Sequence, residues 1–381
     1  MKIDVVIVGA GVSGVPAAVA SARAGAKTLL IEPGVRSGGT MISSLGFPLC
    51  GLFENDMSKP PRLLNEGLSE DFFTAVSAEI SDPVFAMGRV RVCRCPVALF
   101  ESIYSKWLDE KNLTVCFGAT VLSLGLETNC IKEIRFRTAE GGLQTIEVGQ
   151  VVDCTGCGEV LKQSGADQIV PETLPLAGFS VRLEGVKEDD LLPVKVPYVL
   201  RKAIEANSLP DYFAFTGFTP LGAGRALCKF SLPVGVELVD AEPAVRRAVQ
   251  WLQKNIPALS KANAVEFSPS VLLREGARLK GDWVLSAEDI RSGRCFDDSV
   301  ARGNWPMEYW DVQDGVQYEY IQNGVSYDIP KRSLRSVNIR NCWAAGRLLS
   351  ADSRALASAR VMGTAIATGE AAGKAAAEGV Q

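Results

Sequence analysis

The chain opens with an unbroken apolar run of strand length, Val5-Val6-Ile7-Val8, followed by a glycine-rich turn, Gly9-Ala10-Gly11-Val12-Ser13-Gly14. Small apolar residues from Val15 to Ala24 then cover a helix length, Gly25 stands where a helix C-cap would be, and a second strand pattern runs from Lys27 to Ile31. Continuous apolar runs bounded by turn residues are the pattern of strands buried on both faces, as in a parallel sheet. Further along the period lengthens. Ala98 to Lys111 places Leu99, Ile103 and Trp107 at helical spacing, and a shorter helix is expected around Glu70 to Ile80. Leu113–Phe117, Thr120–Leu126, Ile131–Thr138, Leu143–Val148 and Val151–Asp153 read as strands, with Gly141-Gly142 as a hairpin turn. This block predicts a β-meander that rejoins the first layer at Val151.

From about Gly165 to Gly281 the texture changes. Strands are expected at Phe179–Leu183, Tyr212–Phe218 and Arg225–Val234, with one helix over Pro243–Asn255. From Ser286 the chain returns toward the first layer and ends in a helix from about Gly363 to Glu378. The pattern predicts an α/β protein: a Rossmann-type domain, with a parallel sheet plus a β-meander, carrying an inserted α+β substrate domain. Expected boundaries are 1–164, 165–285 for the insertion, and 286–381 for the return.

The first turn has a chemistry of its own. Gly9 allows a tight turn, Gly11 lets backbone approach a pyrophosphate, and Gly14 permits close packing of helix and strand. The helix start at Val12 and Ser13 offers unpaired N–H groups and a positive dipole end. Glu32, followed by Pro33, ends the second strand where a carboxylate can accept ribose hydroxyls. The expectation is a dinucleotide bound near the N-terminus. Ala20-Ser21-Ala22 imitates a signal-peptidase site, but Lys2 is followed at once by Asp4 and three glycines interrupt the apolar core. The segment therefore reads as mature and cytoplasmic.

Composition narrows the chemistry. A net charge of −4 over 381 residues leaves no electrostatic footprint for nucleic acid or an anionic membrane, and no stretch reads as a membrane span. Ten cysteines spread from Cys50 to Cys342 without a repeating frame read as reduced thiols. There is no histidine, which excludes a histidine base, metal ligand or histidyl-linked cofactor. Proton transfer near neutral pH must then use a shifted carboxylate, Tyr, Lys, Cys or water. Nothing makes Cys93-x-Cys95 and Cys154-x-x-Cys157 converge, so no metal site is expected.

Later segments carry a family likeness. Val151-Val152-Asp153-Cys154-Thr155-Gly156 and Asn341-Cys342-Trp343-Ala344-Ala345-Gly346-Arg347 resemble the flavin-side elements of two-dinucleotide-fold flavoproteins. Tyr327-Asp328-Ile329-Pro330, Ser358-Ala359-Arg360-Val361-Met362-Gly363, Arg274-Glu275-Gly276-Ala277-Arg278 and Phe296-Asp297-Asp298 are similar to one branch, the glutathione-reductase-like FAD-dependent oxidoreductase family. The resemblance implies that the Rossmann-type domain is FAD-binding. With no histidine, and none of the ten cysteines singled out by its placement, the FAD is expected to be non-covalent. Gly38-Gly39-Thr40 lies where the chain would pass the flavin. The last helix carries Ala365, Gly369, Gly373 and Ala377 at four-residue spacing, a smooth face for close packing. Candidate cofactor contacts are Gly9, Gly11, Val12, Ser13, Gly14, Glu32, Pro33, Gly38, Gly39, Thr40, Val121, Cys154, Thr155, Gly156, Gly346, Arg347, Arg360 and Val361.

The chain departs from the family on the substrate side of the flavin. Histidines usual there are replaced by Trp310, Ser353 and Leu356, and an arginine beside Arg278 by Ala277. Arg360, Arg354, Tyr309 and Arg278 are the catalytic candidates, and Glu308 is a further acid or base. Arg274, Arg278, Arg354 and Arg360 are candidates for pinning a substrate carboxylate or the flavin C2 carbonyl, with an ion pair to the adjacent Glu275 the favoured reading for Arg274. The expected activity is hydride transfer between FAD and a small organic substrate. Two alternatives stay open: an FAD-binding subunit or redox sensor without substrate chemistry, and a disulfide reductase using Cys154 and Cys157. With a single glycine fingerprint, the electron partner is left open among oxygen, a quinone, NAD(P) and a protein.

Overall fold

The N-terminal apolar runs become neighbouring strands of one sheet in the computed structural model, which describes residues 2–311 and 313–380. β1 (Lys2–Val8) is followed by α1 (Gly14–Arg23) and β2 (Thr28–Glu32). Two helices, α2 (Leu68–Glu79) and α3 (Val97–Trp107), lead to β3 (Leu113–Phe117). β4 (Thr120–Glu127), β5 (Cys130–Arg137) and β6 (Leu143–Asp153) complete this part of the sheet, in the order β3-β2-β1-β6-β5-β4. β1 pairs in parallel with β2 and β6, as its fully apolar residues require, and Val5 to Val8 are at most 3% exposed. β4, β5 and β6 form the antiparallel meander.

β6 is one uninterrupted strand, where two were expected. Its first half pairs with β5 and its last residues lie between β1 and a C-terminal strand. Gly149, which looked like a break, is a contact point: a Cβ there would fall 2.6 Å from the Asp4 carbonyl oxygen. The buried face of α3 is Phe100, Ile103 and Tyr104, one step round from the expected stripe, because these aromatic residues stack in series toward Trp107.

A second, antiparallel sheet has its own core. It comprises β7 (Ala177–Glu184), β8 (Gly217–Gly222), β9 (Arg225–Leu232) and β10 (Asn263–Phe267), ordered β8-β9-β7-β10. The helices α4 (Leu192–Glu205) and α5 (Leu238–Asn255) supply buried residues to the core beneath it. The expected strand Tyr212–Phe218 is instead a 3-10 turn over Asp211–Phe215 leading into β8. Phe213 is fully buried against Phe230, at 5.2 Å between ring centroids, and this packing overrides the strand propensity of the aromatic run. α4 was not expected; it carries a proline in its first turn and Pro197 inside, and Leu192, Val196 and Leu200 mark its buried face.

The chain then forms a hairpin, β11 (Met307–Asp311) with β12 (Gly315–Glu319), and adds β13 (Cys342–Ala344) alongside β6. Two helices close it, α6 (Ser353–Ala359) and α7 (Met362–Glu378). α7 packs on α1 backbone to backbone. A Cβ at Gly369 or Gly373 would overlap the carbonyl oxygens of Ser13 and Ala17, so the four-residue glycine spacing is a steric requirement. The observed architecture is the expected α/β class with a Rossmann-type sheet.

Candidate active site

A cavity of about 610 Å³ lies between the C-terminal ends of β1 and β6, the start of α7, and one wall of the second sheet. At the N-terminal end the glycines divide the work. Gly9 has φ +98°, and a Cβ there would sit 2.7 Å from the Cys154 carbonyl oxygen. Gly14 packs on its own loop, where a Cβ would overlap the Gly9 oxygen. Gly11 differs: the nearest atom to its Cβ position is Gly39 Cα at 3.9 Å, so its open face is a cradle for an approaching ligand. Gly39, with φ +47°, packs on Gly11. Gly38 donates to the Ala10 oxygen at 2.8 Å and braces the loop from behind.

Glu32 stands on the cavity wall with its carboxylate already fixed. One oxygen accepts the Ala10 N–H at 2.6 Å and the other the Gly34 N–H at 2.7 Å. The turn after β6 is organised by Asp153, which is completely buried. Its carboxylate accepts the Thr155 hydroxyl at 2.6 Å and the N–H groups of Thr155, Val160 and Leu161 at 2.9–3.1 Å. Burial raises its pKa even against those bonds. Arg347 ties this turn to the return segment, donating to the Gly156 oxygen at 3.0 Å and to the Leu273 oxygen. Val361 caps α7 without a side-chain bond, leaving its first N–H groups beside the cavity.

Most candidate cofactor contacts meet here: Gly9, Gly11, Val12, Ser13, Glu32, Pro33, Gly39, Thr40, Val121, Cys154, Thr155, Gly156, Gly346, Arg347, Arg360 and Val361 all line the cavity. Gly14 and Gly38 stand behind the lining. The fit to a dinucleotide rests on the Gly11 cradle, the pre-oriented Glu32 and the uncapped start of α7.

The catalytic candidates separate. Arg360 lines the cavity and donates to the Glu308 carbonyl oxygen at 3.3 Å. Arg278, Arg354 and Tyr309 do not line it. Arg278 is 1% exposed and structural: it pairs with Glu275 at 2.8 Å and donates to the Ala351 oxygen at 2.7 Å. Tyr309 and Arg354 sit together elsewhere, the guanidinium 4.8 Å from the ring centroid. Strand alternation explains this, because successive residues of β11 face opposite ways. Glu308 and Trp310 share a face, with Trp310 Nε1 donating to the carboxylate at 2.7 Å and Trp305 Nε1 at 3.1 Å.

Two further cations stand on this wall: Arg274, for which an ion pair was the favoured expectation, and Lys229, which escaped the sequence reading. Arg274 does not pair with Glu275; it is 6% exposed, lies 3.9 Å over Trp310 and lines the cavity. Lys229 enters from β9, between the buried Cys228 and Phe230. A lone lysine inside an apolar strand was the available signal. Burial, with Arg274 nearby, lowers the Lys229 pKa to about 8, and burial with Arg360 nearby lowers that of Arg274 to about 9. Cys154 and Cys157 both line the cavity, but burial pushes the Cys154 thiol up to about 12, which works against a thiolate mechanism.

Residues 4–191 and 227–381 match the model of a family described as FAD dependent oxidoreductase. No match was found among curated proteins. Among solved structures, a geranylgeranyl bacteriochlorophyll reductase-like protein from Thermoplasma acidophilum is 14% identical, with 99% of this chain covering 78% of that one at a TM-score of 0.50. The flavin-dependent brominase Bmp2 is 13% identical, with coverages of 100% and 80% and a TM-score of 0.53. CabE, an aromatic hydroxylase from angucycline biosynthesis, is 15% identical with a TM-score of 0.49; 74% of this chain spans about half of it, 54%. At such identities the likeness is one of fold.

Proposed function

The chain belongs to the FAD dependent oxidoreductase family, and from that premise we propose that it transfers a hydride between FAD and a small organic substrate. The observation that carries this reading is the single cavity running from the Gly11 cradle and Glu32 to the wall of Lys229, Arg274, Glu308 and Arg360. When bound, FAD supplies two-electron hydride chemistry; the protein supplies binding, orientation and electrostatics. Glu32 holds the adenosine ribose, and the amides near Gly11 to Ser13 take the pyrophosphate. The start of α7 and Arg360 place positive potential near the ring system. The second sheet, within the insertion expected over 165–285, covers the cavity and excludes water. Lys229, its pKa lowered by burial to about 8, is the group available to hold or pass a proton.

The hydrogen bond between Tyr327 and the Ser358 hydroxyl, 2.7 Å and buried, joins two of the segments that resemble the glutathione-reductase-like branch. The likeness of those segments, rather than the bond, is what supports assignment to that branch within the family. The test is anaerobic mixing of FAD-loaded protein with a metabolite panel while flavin absorbance is followed. Bleaching by one compound supports the reading; a bound flavin that no small molecule reduces or reoxidises favours a subunit or sensor role. Arg360→Ala should slow flavin reduction in a protein that still purifies yellow. Unchanged kinetics, or a colourless protein, would remove Arg360 from that role.

A further inference from the structure

We propose that the substrate is a small organic carboxylate, its charged group received between Lys229 and Arg274 and its apolar remainder resting on Phe47, Pro48 and Leu272. The proposal rests on the flavin reading above and names a substrate class for the same cavity.

Lys229 Nζ lies 4.6 Å from the Phe47 ring centroid and 5.6 Å from that of Trp310, and has no ion-pair partner among the described residues. Arg274 Nη1 donates to the Leu176 oxygen, while Nη2 is buried without a partner. The two cations flank Gly178: a Cβ there would be 3.3 Å from Lys229 Cε and 3.7 Å from Arg274 Nη2. Glu308 faces both, but two indole N–H groups already hold its carboxylate. With Arg360 also on this wall, cations outnumber the carboxylate three to one.

An unpaired buried cationic group is costly: Arg274 is buried with Nη2 unpartnered, and half-buried Lys229 stands beside it with no carboxylate partner among the described residues. An incoming carboxylate has two oxygens, enough for an ammonium and a guanidinium together. Phe47, Pro48 and Leu272 on the cavity lining offer only apolar surface to the rest of the molecule. A neutral substrate would leave the excess charge uncancelled. The pyrophosphate has its own place at the start of α1, formed by a different wall of the cavity.

Benzoate is the probe and benzamide its neutral isostere, each titrated into FAD-loaded protein by calorimetry and flavin difference absorbance. Benzoate should bind and benzamide should not. Affinity should fall as pH rises through about 8, where Lys229, facing Arg274, Glu308, Arg360 and the Cys50 thiol, gives up its proton. Lys229→Met should weaken benzoate by about tenfold or more and flatten the pH profile, with FAD content unchanged. Should that variant fail to fold, Lys229→Arg should keep benzoate binding while losing the fall near pH 8. The proposal is overturned by equal binding of the two probes, by no benzoate binding, by unaltered affinity in Lys229→Met, or by loss of FAD from that variant. Wild-type protein that purifies without flavin would defeat the flavin reading instead.

Discussion

Glu32 and Arg278 show how one charged residue type can serve opposite ends. Glu32 is held by two backbone N–H groups at the cavity lip, so its carboxylate is oriented before any ligand arrives. Glu32→Ala should weaken FAD binding by about 1–3 kcal/mol, the scale of lost hydrogen bonds to a charged acceptor. Fluorescence titration of apoprotein with FAD measures it, and an unchanged affinity would show that the ribose is held elsewhere. Arg278 instead forms a buried pair with Glu275, whose carboxylate also accepts the Ser353 hydroxyl at 2.5 Å. Removing the cation strands that carboxylate in the interior. Arg278→Ala should cost about 3–5 kcal/mol in urea unfolding. A near-native midpoint in that variant would refute the structural role.

At the level of elements, the contact between α1 and α7 governs how the return segment reaches the cavity. Both helices are made almost entirely of small residues, and nearly every position at their contact is buried. Gly369 and Gly373 let α7 lie directly on the carbonyls of Ser13 and Ala17, which brings Val361 and Arg360 to the cavity. Overpacking a close-packed interface costs about 1–3 kcal/mol or more. Gly373→Val should therefore lower the melting temperature, and because the same contact positions the cavity wall, it should also reduce FAD occupancy. A variant that melts lower but retains full FAD would separate the two effects. The helix stripe was visible in the sequence as four-residue spacing. The faces of α3 and β11 were not, because which residues point inward depends on partners contributed by distant segments.

For the molecule as a whole, the cavity proposed for FAD lies where the N-terminal layer, the second sheet and the C-terminal return meet, so FAD binding there would be coupled to overall stability. A ligand at a hundredfold excess over its Kd adds about 2.7 kcal/mol to a native state that alone binds it. Stripping FAD should lower the melting temperature, and re-addition should restore it in a concentration-dependent way; equal melting with and without FAD would contradict that linkage. Acid precipitation should release all the flavin, as non-covalent binding requires. No described helix is long and apolar enough to cross a membrane. The sequence by itself determined the glycine turn, Glu32, the first and last helices and the α/β class, because these follow from backbone sterics and short-range periodicity. Only the tertiary structure decided which charges face the cavity. Lys229, Arg274 and Glu308 come from three separated segments, and strand register with a buried competing ion pair, neither legible from local pattern, selected them over Arg278 and Tyr309.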